Sequence, residues 1–183
     1  ARQSLRLAIL EQLDERYAVQ WGHQLIDVKE NEDGINLRFQ VNGEIKNAKA
    51  DLVVGADGIR SSVRNLLIGE DVSPLRYLDC IVILGICPLA TLKDVDNELL
   101  DSATVFQTAN GNERIYIMPY DADSVMWQLS FPMSEKEAKE LSAKGAKFLK
   151  EEACKRTQWH SPIPQILAAT IEDLVSGYPV YDR

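Results

Sequence analysis

The stretch Asp51-Leu52-Val53-Val54-Gly55-Ala56-Asp57-Gly58-Ile59-Arg60-Ser61-Ser62-Val63-Arg64 decides how the rest of the chain is read. Residues 52–56 read as a short buried strand that runs into a tight Asp-Gly turn. A helix then begins, with Arg60 and Arg64 one turn apart. Strand, turn and helix are the parts of a mononucleotide-binding unit, in which ligands sit beyond the carboxyl end of the strand, where Asp57 and Gly58 fall. The helix start offers free backbone N–H groups and a positive dipole end, which suit a phosphate.

The totals set outer bounds. A chain of 183 residues makes one good core or two small ones. Its 45% hydrophobic and 26% charged content is ordinary for a globular protein. A formal charge of −8 and a pI near 4.8 argue against nucleic acid as a partner, which needs a basic surface. No apolar run approaches the ~20 residues of a membrane span, so no stable membrane insertion is expected. The first residues, Ala1-Arg2-Gln3-Ser4, carry no signal-peptide pattern. Cys80, Cys87 and Cys154 lack metal or redox spacing, and His23 and His160 lie far apart. Reduced thiols, no metal site and a cytoplasmic location are the expectation. The chain starts without methionine inside a helix pattern and stops at Tyr181-Asp182-Arg183, so both ends read as cut.

Helical spacing of Leu5, Ala8, Ile9 and Leu13 predicts a helix over residues 2–13 with one buried stripe. Arg2 and Arg6 line its start, and on spacing alone both are surface charges. Three strand candidates follow, residues 18–28, 35–41 and 44–50, joined through Asp33-Gly34 and Asn42-Gly43 turns. Residues 69–74 read as a linker and domain boundary. Beyond it, residues 80–84, 104–108, 114–120 and 125–131 predict a second, antiparallel sheet. In the last strand Val125, Trp127, Leu129 and Phe131 form one face, expected to pack on helices. Ser124, Met126, Gln128 and Ser130 form the other, which either lines a pocket or is simply solvated. Ser134 with Glu137 is a capping-box pattern, Gly145 reads as a break, and Ser161-Pro162 reads as the capped start of a short helix.

The order of these parts resembles the middle of the FAD-dependent aromatic-ring monooxygenases, the p-hydroxybenzoate-hydroxylase-like flavoproteins. An Arg-x-x-Leu-Arg helix leads into a meander, then residues 51–64, an antiparallel sheet and a terminal Tyr-Asp-Arg. Asp57-Gly58 looks like that family's DG motif. The resemblance implies an α/β (α+β) fold: part of a two-dinucleotide-type FAD-binding fold plus an antiparallel-sheet substrate domain with helices on one face. It divides the chain into residues 1–73 of the FAD/NAD(P)-binding domain, residues 74–178 of the substrate domain, and a return at 179–183. It implies that Arg2, Leu25, Asp57, Gly58 and Arg60 contribute to cofactor binding, with Leu25 acting through its backbone. Arg64 matches the same basic helix, and Asp182-Arg183 matches a motif ahead of the family's second FAD sequence. A carboxylate repels a diphosphate, so Asp57 is expected to cap the helix or fix the loop without touching phosphate. Turn-and-cap duty with no ligand is the alternative.

The family's Gly-x-Gly-x-x-Gly loop and its Gly-Asp segment do not occur in residues 1–183, so this chain alone is expected not to hold FAD tightly. The implied reaction is hydroxylation of a small aromatic or polycyclic substrate by O2. FAD would be reduced by NAD(P)H and react through a flavin hydroperoxide. Gly85, Arg114, Tyr116, Met126 and Gln128 are the expected pocket-facing set, although Arg114 also reads as a surface residue near a hairpin. No residue is singled out as a catalytic acid or base. A flavin reductase or oxidase on the same fold, or a non-catalytic piece unable to bind FAD, are the rival readings.

Overall fold

Alternation of Ile35, Leu37, Phe39 and Val41 with polar residues builds the middle of a three-stranded antiparallel sheet. The structure is a computed structural model describing residues 2–14, 19–93, 95, 98–101 and 103–183. Strands β1 (Gln24–Asn31), β2 (Gly34–Val41) and β3 (Glu44–Ala50) lie in chain order. Asn42 and Gly43 both take positive φ, 51° and 87°, the conformation a two-residue hairpin turn requires. Phe39 sits between Leu25 and Lys46, and Leu37 between Val28 and Ala48, so the apolar members share one face. The first strand begins later than residue 18, after a turn at Trp21 and Gly22; Ala18 lies outside the described residues.

The chain divides into two units, one of Arg2–Arg76 with Asp182–Arg183 and the other of Tyr77–Tyr181. In the first, helix α1 (Arg2–Leu10) forms where its spacing predicts. The expected buried stripe does not: Leu5 is 64% and Ile9 58% exposed. Residues 52–57 correct the sequence reading further. They pair with no strand among the described residues, and Leu52 and Val54 are each 77% exposed. An apolar run has the composition of a buried strand, but it becomes one only where a neighbouring strand supplies hydrogen bonds. Helix α2 (Ser62–Ile68) follows.

The second unit is built on a five-stranded sheet of β4 (Arg76–Pro88), β5 (Phe106–Ala109), β6 (Arg114–Asp121), β7 (Ser124–Pro132) and β8 (Val175–Asp182), in the order β5-β6-β7-β4-β8. The β4–β7 register sets Ile83 against Leu129 and Gly85 against Trp127; the β6–β7 register sets Ile115 against Leu129 and Ile117 against Trp127. These residues face α3 (Glu135–Ala143), α4 (Ala146–Arg156) and α5 (Ile163–Ala169). Ala138, Leu149, Ala153, Ile163, Ile166 and Leu167 join them in one core. Ser134 caps α3 by accepting the Glu137 N–H, and Gly145, at φ 89°, separates α3 from α4. The expected Ser161 cap is corrected: Pro162 is the N-cap of α5, and no side chain caps the helix.

The core is tied by polar contacts at its edges. The Trp127 Nε1–H donates to Thr170 Oγ1 at 2.9 Å, and that hydroxyl donates to the Ile166 carbonyl at 2.8 Å. The Arg156 guanidinium lies 3.9 Å over the Phe131 ring and pairs with Glu113 at 2.9 Å and Glu152 at 2.6 Å. Half-buried, this cation closes the end of the core and hydrogen-bonds both carboxylates.

Candidate functional site

The chemistry of the first unit gathers where the extended run 52–57 meets α2. Gly58 takes φ 78°, which lets the chain reverse there, and no other part of the unit crowds the position of a Cβ on it. Ser61 N–H then bonds back to the Gly58 carbonyl at 3.1 Å. Asp57 turns toward the start of α2. Its carboxylate accepts from the Ser61 hydroxyl at 2.5 Å and from the N–H groups of Ser62 and Val63 at 2.7 and 3.2 Å. Ser61 Oγ in turn accepts the Arg64 N–H at 3.0 Å. The first N–H groups of α2 are therefore satisfied from within, and the free helix start expected for a phosphate is corrected: the carboxylate occupies the place an anion would take.

These hydrogen bonds hold the Asp57 carboxyl below the usual carboxylate range, with the Ser61 hydroxyl the largest cause. A depressed native pKa means the cap stabilises above the unfolded carboxylate's pKa and is lost as pH falls through the lower native value. Acidification is therefore expected to release the first turn of α2. Amide exchange at Ser62, Val63 and Arg64 measures this, and Asp57→Ala should show the same fast exchange already at neutral pH.

Gly55 is a contact that sequence reading missed. A Cβ there would lie 2.9 Å from Val63 Cβ, so the extended run lies against α2 only because residue 55 has no side chain. Leu25 and Asp57, two of the expected cofactor residues, border the same cavity of about 390 Å3, whose apolar walls include Leu37, Phe39 and Val63. Arg60 stands exposed in the turn before α2. Arg2 opens α1, but its side chain lies outside the described residues. Arg183, expected here by resemblance alone, lies in the same unit. Its side chain is 6% exposed, donating to the Ser73 carbonyl at 2.7 Å and Asn65 Oδ1 at 3.2 Å, with Glu70 at 3.5 Å. It grips the far end of α2, and its buried Nε has no hydrogen-bond partner.

In the second unit, the sheet face away from the helices carries Leu84 and Ile86 from β4, Arg114, Tyr116 and Met118 from β6, and Met126 and Gln128 from β7. Four of the five expected pocket residues, Arg114, Tyr116, Met126 and Gln128, share this face. The Tyr116 hydroxyl donates to Gln128 Oε1 at 3.0 Å. Gly85 does not belong with them. It lies opposite Trp127 on the helix-packed face, where a Cβ would come within 2.5 Å of Trp127 Cζ2. It is glycine to admit the indole, not to widen a pocket.

Burial pushes the thiols of Cys80, Cys87 and Cys154 up from their ordinary range, which keeps them protonated and poorly nucleophilic. Among the described residues no group of three or more His, Cys, Asp or Glu could hold a metal ion, and no helix is long and apolar enough to cross a membrane.

A family model described as an FAD binding domain matches residues 4–175. Several solved structures are similar. A variant of Klebsiella pneumoniae HpxO complexed with FAD is 21% identical at a TM-score of 0.79, over 100% of this chain and 44% of that one. A putative FAD containing monooxygenase from Photorhabdus luminescens is 16% identical at 0.75, over 96% of this chain and 50% of that one. The protein pqsL of Pseudomonas aeruginosa, a probable FAD-dependent monooxygenase, is 25% identical at 0.65, over 97% and 46%. The chain thus spans half of those chains or less. A comparison with curated proteins gives no match.

Proposed function

The chain belongs to the FAD binding domain family, and on that premise we propose that it forms the central part of an FAD-dependent, NAD(P)H-using monooxygenase acting on a small aromatic or related organic substrate. The observation that carries this reading is the family match across residues 4–175. The balance is that of a monooxygenase: substrate C–H, O2, NAD(P)H and a proton give the hydroxylated product, water and NAD(P)+. FAD, when bound, supplies the redox chemistry; the protein supplies position, polarity and exclusion of water.

The residues present fit such a group. The cavity beside Leu25 has apolar walls suited to a flat ring. Gly58 leaves its backbone open to close approach, and the exposed Asp57 carboxylate caps the start of α2, so its charge is engaged there and not on a diphosphate. In this reading residues 1–73 and 179–183 belong to the cofactor domain and 74–178 to the substrate domain. Arg2 meets the pyrophosphate, where guanidinium geometry suits paired oxygens. Leu25 contacts the adenosine end through its backbone, and Arg60 serves the pyridine nucleotide. The open sheet face with Tyr116, Met126 and Gln128 walls the substrate cavity. The enzyme works in the cytoplasm.

Two measurements on the full-length protein test the reading. NAD(P)H-dependent O2 uptake should yield hydroxylated product one for one; hydrogen peroxide in its place identifies an oxidase and overturns it. Arg2→Ala should lower FAD retention by about tenfold, the usual scale of one lost charge-assisted contact. Unchanged retention removes Arg2 from the site.

A further inference from the structure

The chain contains two Asn-Gly pairs, Asn42-Gly43 and Asn110-Gly111. Glycine has no side chain to shield its backbone nitrogen, so in such a pair that nitrogen can reach the asparagine carboxamide carbon. Both pairs are exposed, and a Cβ on either glycine would meet no atom within 4 Å. The attacking nitrogen is therefore equally open at the two places. The carboxamides differ. Asn110 Oδ1 accepts the N–H groups of Asn112 and Glu113 at 3.0 and 2.8 Å, and Asn110 Nδ2 donates to Glu113 Oε2 at 2.6 Å. Glu113 is itself held through Oε1 by Arg156 at 2.9 Å. Asn42 has no such frame: its carboxamide makes no hydrogen bond among the described residues.

We propose that Asn42 is a site of spontaneous covalent modification, deamidation through a succinimide, and that Asn110 is protected from the same reaction by its own hydrogen bonds. The Gly43 nitrogen attacks Asn42 Cγ and gives up its proton. The Cγ–Nδ2 bond breaks and ammonia leaves, so that a five-membered imide joins the two residues. Water then adds to one of the two imide carbonyls. Opening at one gives aspartate; opening at the other gives isoaspartate, in which the main chain runs through the former side chain. One water enters and one ammonia leaves, with no oxidant or reductant. At Asn110 the carboxamide must first be freed from three hydrogen bonds, one of them to a carboxylate. The consequence at Asn42 is local. Its turn has central residues at φ 51° and 87° and closes Val41 onto Glu44. Isoaspartate lengthens that turn by one backbone carbon and sets a carboxylate close to Glu44, so the register of β2 and β3 loosens from this end.

The test is ageing of the full-length protein in mildly alkaline buffer, with peptide mapping by mass spectrometry at both asparagines and chromatographic separation of the isoaspartyl product. In the folded protein Asn42 should convert at least roughly tenfold faster than Asn110. In urea the two rates should come within about twofold, because no hydrogen bond then distinguishes them. Glu113→Ala removes the acceptor of Asn110 Nδ2 and should raise the Asn110 rate about fivefold while leaving Asn42 unchanged. If that variant does not fold, the comparison of folded with urea-unfolded native protein decides alone. Ageing should also speed amide exchange in β3 of the native protein but not of Asn42→Gly, which keeps a residue that tolerates positive φ and lacks the carboxamide. Equal or faster conversion at Asn110, no conversion at Asn42 while the unfolded sample converts, or a tenfold ratio that persists in urea overturns the proposal. A folded Glu113→Ala with an unaltered Asn110 rate overturns the protection, and unchanged β3 exchange after full conversion overturns the loosened register. Neither step involves flavin, so the outcome is independent of the proposed function.

Discussion

Trp127→Ala should lower the stability of the Tyr77–Tyr181 unit by about 3–5 kcal/mol, the range for deleting a large buried aromatic side chain. The ring is fully buried among Ile83, Ile117 and the helices, and it fills the space left by Gly85. Cutting it back removes the contacts of two strands and a helix together, and the glycine opposite has no side chain to relax into the hole. The indole N–H is lost as well, so Thr170 Oγ1 keeps its bond to Ile166 but loses its donor. Trp127→Phe separates the two contributions. It retains most of the apolar volume and should cost less than the alanine variant, with about 1 kcal/mol of its loss belonging to the hydrogen bond. Urea unfolding followed by far-ultraviolet circular dichroism measures both. A loss below about 1 kcal/mol for the alanine variant would mean that the sheet does not pack on its helices through this residue.

Gly85→Val acts on the same contact from the other side and should cost about 1–3 kcal/mol by overpacking, lowering the melting temperature by several degrees. A Cβ at residue 85 would stand 2.5 Å from Trp127 Cζ2 and 2.6 Å from Cε2, so the ring or the strand must move. The experiment also distinguishes the two faces of β4. Were Gly85 part of the open face, valine there would change ligand affinity and leave stability alone. The structure predicts the reverse: reduced stability in urea, because the added side chain meets the Trp127 ring. The double variant Gly85→Val with Trp127→Ala should cost less than the sum of the single changes, since each relieves the clash or fills the hole left by the other.

Where a stretch carries its own periodicity, the sequence was legible. Strand β2, the alternation of β7, the Ser134 cap and the break at Gly145 each rest on residues whose type states the local geometry. Asp57 was legible for a similar reason: a carboxylate ahead of two serines at a helix start has nearby N–H groups to accept, and it accepts them. Gly85 was not legible, because a glycine has no side chain to show which way it faces. Its side of the sheet follows only from its register against Trp127. Residues 52–57 and α1 failed for another reason. Their apolar patterns describe faces that need neighbours, and among the described residues those neighbours are lacking. Arg183 stayed hidden because the carbonyl and amide that hold it, Ser73 and Asn65, lie more than a hundred positions away in the chain.

The site was legible in part. The residues 51–64 pointed to a nucleotide cofactor through strand, turn and helix. The expected phosphate cradle at the helix start proved to be filled by Asp57, whose carboxylate accepts the N–H groups an anion would take. On the second sheet, alternation sorted Met126 and Gln128 from the core-facing set. The neighbouring strand then brought Tyr116 to Gln128, a contact that only the β6–β7 register could reveal.

The flavin content of the full-length protein, purified from its natural coding sequence, bears most directly on the central claim. A yellow protein is predicted, absorbing near about 450 nm and releasing FAD on denaturation in equal amount to polypeptide. A colourless protein that takes up no FAD on reconstitution would contradict the account.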